Sequence, residues 1–140
     1  MIAHLLAVWT RGEPYPESAR KAIIRMKDFL TSVPSIVVGD FNSNAVWDPE
    51  YPDGSHSDLV TVLANMGFVS AYHRQFGEEQ GHEKIATYYH QYKTTQPFHI
   101  DHVFTSEYFK TNVNIGLGKD PAYWLEHSDH QPVSVDIDFV

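Results

Sequence analysis

The sequence predicts an α/β fold in which one mixed sheet carries helices on one face, within a single domain spanning residues 1–140. Three observations predict it. Stretches with helical periodicity fall early and strand-like stretches fall late. No Pro/Gly-rich linker, repeat or low-complexity tract divides the chain. The C-terminal residues Val133, Val135, Ile137 and Phe139 alternate with Ser134, Asp136 and Asp138, which leaves one apolar face, as a half-buried strand requires.

The elements follow in order. His4 to Trp9 reads as a buried strand. Glu17 to Leu30 reads as a helix with Ala19, Ala22, Ile23, Met26, Phe29 and Leu30 on one stripe. Ser35 to Val38 is a short apolar strand ending at Gly39, followed by a polar loop containing Pro49, Pro52 and Gly54. Ser55 or Ser57 caps the next helix, which buries Leu59, Val60, Val62, Leu63 and Met66, and Gly67 suits its left-handed end. Phe68 to Tyr72, Ile85 to His90, Phe98 to Thr105 and Val113 to Leu117 are further strands.

Composition narrows the function classes. The chain has 140 residues, 42% of them hydrophobic and 20% charged, which suits a soluble globular domain and excludes disorder. The absence of cysteine excludes disulfides and thiolate metal sites. No apolar run is long enough to cross a bilayer, and Met1 to Trp9 lacks the features of a signal peptide, so a cytoplasmic location and no membrane partner are expected. The net charge of -8 and the scattering of the 10 Lys and Arg argue against broad nucleic-acid binding and favour a small phosphorylated substrate.

Three words carry chemistry. In Val38-Gly39-Asp40-Phe41-Asn42-Ser43-Asn44, Asp40 and Asn42 stand two apart after a strand and project to one side in extended backbone. A carboxylate and an amide there suit a metal or attacking water and a phosphate oxygen, although a polar turn would use the same residues. In Phe98-His99-Ile100-Asp101-His102-Val103-Phe104, Asp101 interrupts an apolar strand and needs a partner, either backbone amides or a histidine that it orients. In His127-Ser128-Asp129-His130-Gln131-Pro132, adjacent Asp129 and His130 precede the last strand. Zinc is disfavoured, because His99 and His102 would face opposite sides of a strand and no helical i, i+4 pair exists. The other histidines, such as His56, His73, His82 and His90, read as surface or hydrogen-bonded core residues. Lys119 to Leu125, with Tyr123 and Trp124, either lines the pocket or packs in the core, the second being the expectation, and loops 48–57 and 75–84 read as substrate-facing.

Together the words resemble the endonuclease/exonuclease/phosphatase superfamily, which is recognised by Gly-Asp-Phe-Asn, Ile-Asp-x-x-Phe and Ser-Asp-His-x-Pro-Val in this order. They stand here as Gly39–Asn42, Ile100–Phe104 and Ser128–Val133. The resemblance implies hydrolysis of a phosphoester, in nucleic acid or in a small molecule, with Mg2+ or Mn2+. It implies that Asp40 aligns or deprotonates water, Asn42 binds the scissile phosphate, His130 contacts phosphoryl oxygens or moves a proton, and Asp101 orients His130. Asp129, with Asp40, would lie beside the metal. It also implies half of a four-layered α/β sandwich, the other half supplying an Asn and a metal-binding Glu ahead of this stretch. Trp9 would stand where the family often has His or Tyr. An apolar sheet face including Trp9, Val133, Val135, Ile137 and Phe139 would then be open, so a homo-oligomer or the absent N-terminal half is expected to cover it. A phosphate- or metal-binding module without turnover, or an inactive fragment, is the alternative.

Overall fold

The computed structural model describes residues 2–5, 12–109 and 113–138. In chain order the elements are β1 (Ile2–Leu5), α1 (Tyr15–Arg25), α2 (Lys27–Ser32), β2 (Ser35–Asp40), α3 (His56–Asn65), β3 (Phe68–Ser70), α4 (Ala71–Phe76), β4 (Tyr88–Tyr89), β5 (Pro97–Phe98), β6 (Asp101–Ser106), β7 (Val113–Leu117), α5 (Pro121–Leu125) and β8 (Val133–Ile137). A 3-10 turn over Ala45–Glu50 joins β2 to α3.

A four-stranded mixed sheet in the order β1-β2-β6-β3 forms the centre. β1 and β2 run parallel, and α1 and α2 lie in the crossover that such a pair needs. β6 pairs antiparallel with β2 on one side and β3 on the other. One face packs Val37, Phe68 and Phe104 against Ile23, Leu30, Leu59 and Leu63 of the three helices. On the second core, Ile36 and Val103 pack with Ala71, Phe109, Val113 and Ile115.

The expected helix over 17–30 is two helices. Met26 (φ -94°, ψ 6°) breaks it, and its N–H still bonds to Ala22 and Ile23. The break re-aims the second half: Leu30 points into the core while Phe29 is 43% exposed. Ser55 is the N-cap of α3. Its hydroxyl accepts from the Asp58 N–H and the Asp58 carboxylate accepts from the Ser55 N–H, a capping box. Gly67 ends that helix at φ +79°, as expected.

The late strands depart from a single sheet. β7 and β8 pair with each other as a separate two-stranded sheet whose half-buried Val133, Val135 and Ile137 pack against the second core. One physical reason is local. The Gln75 amide bonds both the N–H and the C=O of Ile115, taking backbone groups that a further strand would use. The strand expected over 85–90 shortens to β4, paired with β5, and Phe68 to Tyr72 turns helical at Ala71. Tyr123 is 53% exposed, so it is not core packing. Trp9 and Phe139 lie outside the described residues, and none of the described helices is long and apolar enough to cross a membrane.

Leu63 is fully buried in the helix-side core. Leu63→Ala is expected to cost about 2–5 kcal/mol in urea denaturation, against less than about 0.5 kcal/mol for Ser134→Ala on the exposed side of β8. Equal costs would show that this cluster does not hold the fold together.

Candidate active site

The site starts from a strand register. β2 and β6 pair so that Asp40 stands opposite Asp101 at the end of both strands. Gly39 precedes it at φ +151°, a conformation that side-chain-bearing residues rarely adopt. Beyond the strand, Phe41 donates its N–H to Ile100 (2.9 Å), and Asn42 enters the left-handed region at φ +46°, which asparagine tolerates. That conformation folds Asn42 back onto Asp40. Its backbone N–H donates to one carboxylate oxygen (2.7 Å) and its side-chain amide to the other (2.9 Å).

Two carboxylates on neighbouring strands repel, and an imidazole between them offsets this. His130 Nδ1 lies 2.9 Å from Asp101 Oδ2, and His130 Nε2 lies 3.9 Å from Asp40 Oδ2. With Nδ1–H donated to Asp101, Nε2 faces Asp40 and the open rim. The exposed fractions of the side chains are 35% for Asp40, 31% for His130 and 19% for Asp101, so the pair facing outward can be reached and the orienting carboxylate sits behind. Partial burial, and then the charge of Asp101, raise the Asp40 carboxyl above its ordinary value against the bonds from Asn42 and the attraction of His130.

Thr87 and Tyr88 hold His130 in place. The buried Thr87 hydroxyl accepts the N–H groups of Ile100 and Asp101 (3.0 Å each), and its carbonyl accepts the Gln131 N–H. Tyr88 forms a backbone bridge with His130, and its ring lies 4.7 Å from the imidazole. The Ser128 hydroxyl accepts the His130 N–H at 3.0 Å. Burial, then the negative charges of Asp129 and Asp40, raise the Tyr88 hydroxyl.

Beneath the rim lies a polar interior. Ser43 Oγ is 2.9 Å from His56 Nδ1, and His56 Nε2 is 3.1 Å from Gln80 Oε1. Gln80 Nε2 is 3.2 Å from His73 Nδ1, and His73 Nε2 is 2.9 Å from Glu83 Oε1. Asn44 donates to the other Glu83 oxygen (3.0 Å) and to the His99 carbonyl (2.8 Å). His102 Nε2 reaches the Ser43 carbonyl at 3.0 Å. Burial would push Glu83 up, but the donors His73 and Asn44 and two backbone N–H groups hold it at about 2. Burial lowers His56 and His99 and takes His102 well below its ordinary value.

Of the residues named from sequence, Asp40, Asn42, Asp101 and His130 meet at one rim. Asp129 stands beside His130 and acts on Tyr88 through its charge. Among the described residues its side chain makes no hydrogen bond, while its carbonyl accepts the Tyr89 N–H. His56 and His73 are hydrogen-bonded core residues, as expected, and His82 and His90 are exposed. His99 and His102, expected on opposite faces, have rings 5.2 Å apart, because β6 begins only at Asp101 and His99 precedes its regular alternation. Sequence reasoning missed Thr87, Tyr88, Gln80 and Glu83. A Thr-Tyr-Tyr-His word at a strand candidate was the only signal for the first two, and nothing local marked the others.

No family model and no curated protein matches the sequence. Solved structures do. The 3'-5' exonuclease NExo of Neisseria meningitidis superposes with a TM-score of 0.57 at 19% identity, over 89% of this chain and 50% of that one. The endonuclease domain of TRAS1, a telomere-specific non-LTR retrotransposon, gives 0.60 at 21% identity over 92% and 52%. An endonuclease/exonuclease/phosphatase of Beutenbergia cavernae gives 0.58 at 15% identity over 96% and 36%. The fold is therefore that of the endonuclease/exonuclease/phosphatase superfamily. The chain spans about half, or less, of the length of these proteins.

The buried histidines generate a pH dependence. In the folded chain His56, His99 and His102 have values below 6.5, so the unfolded chain binds more protons as pH falls through that value. Stability is expected to be flat above about pH 7 and to fall progressively below the ordinary histidine value. Urea midpoints at pH 8 and pH 5.5 check this, and a midpoint unchanged or higher at pH 5.5 contradicts it.

Proposed function

We propose that this chain, with the fold of a nuclease and phosphatase superfamily, carries a phosphoester-hydrolysing site at the Asp40–His130 rim. Water attacks phosphorus, a new P–O bond forms and the P–O bond to the leaving group breaks, while the water proton passes to Asp40. The raised Asp40 carboxyl is a better base than an ordinary exposed aspartate. Asn42 uses one amide hydrogen to hold Asp40 and offers the other to a phosphoryl oxygen. His130 Nε2, set by the Asp101 bond on Nδ1, contacts a phosphoryl oxygen or moves a proton there. The observation that carries the reading is the line Asp101–His130–Asp40, with steps of 2.9 and 3.9 Å, open at its outer end.

The Mg2+ or Mn2+ that the motif resemblance implies fits less well. Among the described residues no three ligating side chains come together, and both Asp40 oxygens already accept bonds from Asn42. Asp40 and Asp129 are hard oxygen donors of the right kind, yet they do not complete an octahedral shell. The steps above are accordingly those that protein atoms carry themselves. Nucleic acid is a reasonable substrate class to test first, since one of the matched structures is of the NExo 3' phosphatase with a product DNA hairpin.

Two outcomes are expected. Hydrolysis of a generic phosphodiester and of a DNA 3'-phosphate, assayed with Mg2+, should drop by about 100-fold or more in His130→Ala. Activity that survives that change removes the role given to His130, and no activity in the parent protein removes the enzyme reading. Calorimetric titration of the chain with Mg2+ alone should show binding no tighter than roughly millimolar, rising when a phosphoester is present. Tight binding without the phosphoester would reveal a third ligand and overturn the incomplete shell.

A further inference from the structure

Asn42 and Asp40 hold each other through two bonds, and the chain that follows Asn42 is anchored separately. Asparagine tolerates the left-handed φ of +46°, and its neighbours decide whether it stays there. The two residues that follow it are buried, Ser43 at 3% and Asn44 at 3% exposure, and both are polar. Their bonds run into the interior. One hydrogen assignment closes these contacts into a ring, with the Ser70 hydroxyl sharing His73 Nδ1 at 2.7 Å. Ser43 O–H donates to His56 Nδ1, His56 Nε2–H to Gln80, the Gln80 amide to His73 Nδ1, and His73 Nε2–H to Glu83. Asn44, next to Ser43 in the chain, donates to the second Glu83 oxygen and closes it. His102 adds a bond to the Ser43 carbonyl.

We propose that this ring positions Asn42 for the reaction, and that Glu83 and Gln80 are positioning residues of the site although neither reaches its rim. The proposal rests on the phosphoesterase reading for its kinetic consequence but not for its geometry. Glu83 is suited to the part because one carboxylate supplies two acceptors to donors on different segments, His73 of α4 and Asn44 of the Asn42 loop. Its side chain is 3% exposed, so water cannot substitute for a lost donor at little cost. Replacement by an amide leaves the shape but removes one acceptor, so either His73 or Asn44 must lose its bond. Gln80 works by orientation, accepting from His56 and donating to His73 Nδ1, which the Ser70 hydroxyl also reaches, while Glu83 fixes the His73 tautomer. The segment 78–85, outside the three sequence words, thereby sets the site.

The test uses the 15N-labelled protein and two variants, Glu83→Gln and Gln80→Ala, the second in case the first does not fold. The side-chain NH2 signals of Asn42, assigned by their loss in Asn42→Asp, are expected to shift in either variant while the amides of β7 and β8 stay in place. Unmoved Asn42 signals overturn the proposal whether or not the protein is active. Kinetically, Glu83→Gln is expected to lower kcat by roughly ten- to a hundredfold in the parent, and to add little in an Asn42→Ala background. An equal loss in both backgrounds would mean general damage and would also overturn it. An inactive parent with shifted Asn42 signals would sink the hydrolase reading and leave the positioning intact.

Discussion

Everything at the rim depends on the register between β2 and β6. Strand side chains alternate, so a slip of one residue would carry Asp40 to the face now held by Val37 and Phe104, or Asp101 into the apolar interior. The register costs something, because two carboxylates stand opposite one another and like charges across a pair are unfavourable. His130 offsets that cost, and its position is set by Thr87, which ties residue 131 to the start of β6, together with the Tyr88 bridge and the Ser128 hydroxyl. The same arrangement that relieves the repulsion produces an oriented imidazole beside a carboxyl raised by its surroundings.

The interior behind the rim reverses the usual rule that cores are apolar. Histidines 56, 99 and 102 and the Glu83 carboxylate are nearly closed off from water. A half-satisfied network of this kind would be worse than an apolar core, because each unpaired group forfeits its hydration. Here the ring pairs nearly all of it. Among the histidines the exceptions are His99 Nε2 and His102 Nδ1, which find no partner among the described residues. Both are the deprotonated nitrogens if the opposite nitrogens donate to Ile85 and Ser43, and an unpaired lone pair is the less costly kind of orphan. Stacking of the rings on one another and on Tyr72 and Phe41 adds apolar contact that hydrogen-bond reasoning omits.

Much of the fold was legible because it is encoded in local chemistry. The Ser55–Asp58 capping box, the left-handed Gly67 and the alternation of Val133, Val135 and Ile137 each follow from a few adjacent residues. The rim residues were legible for a different reason, since three short words at strand ends resemble a known motif set. What could not be read arose from distant pairing. Nothing around Met26 announces a helix break, which depends on how Leu30 must enter the core. Nothing around Ile115 announces that Gln75 occupies its backbone. Glu83 looks like one acidic residue among many in an exposed loop until Asn44 and His73 arrive from elsewhere. Alternation places His99 and His102 on opposite faces, but His99 precedes the strand and its ring turns toward His102.

The electrostatics of the rim define what must come to it. Asp40 and Asp101 stand opposite one another with one imidazole between them, and the whole chain has a net charge of -8. A phosphoester is itself an anion, so approach to this rim is opposed until positive charge is supplied. His130 offers at most one unit of it, and its Nδ1 is directed to Asp101 rather than outward. Under the proposed function that charge would have to arrive with the substrate, since the oxygen donors among the described residues are too few to hold a cation alone. On that view the carboxylates are not a barrier to an anionic substrate but half of the arrangement that receives it. On the same proposal Asn42 offers phosphate a neutral donor beside groups that would otherwise repel it.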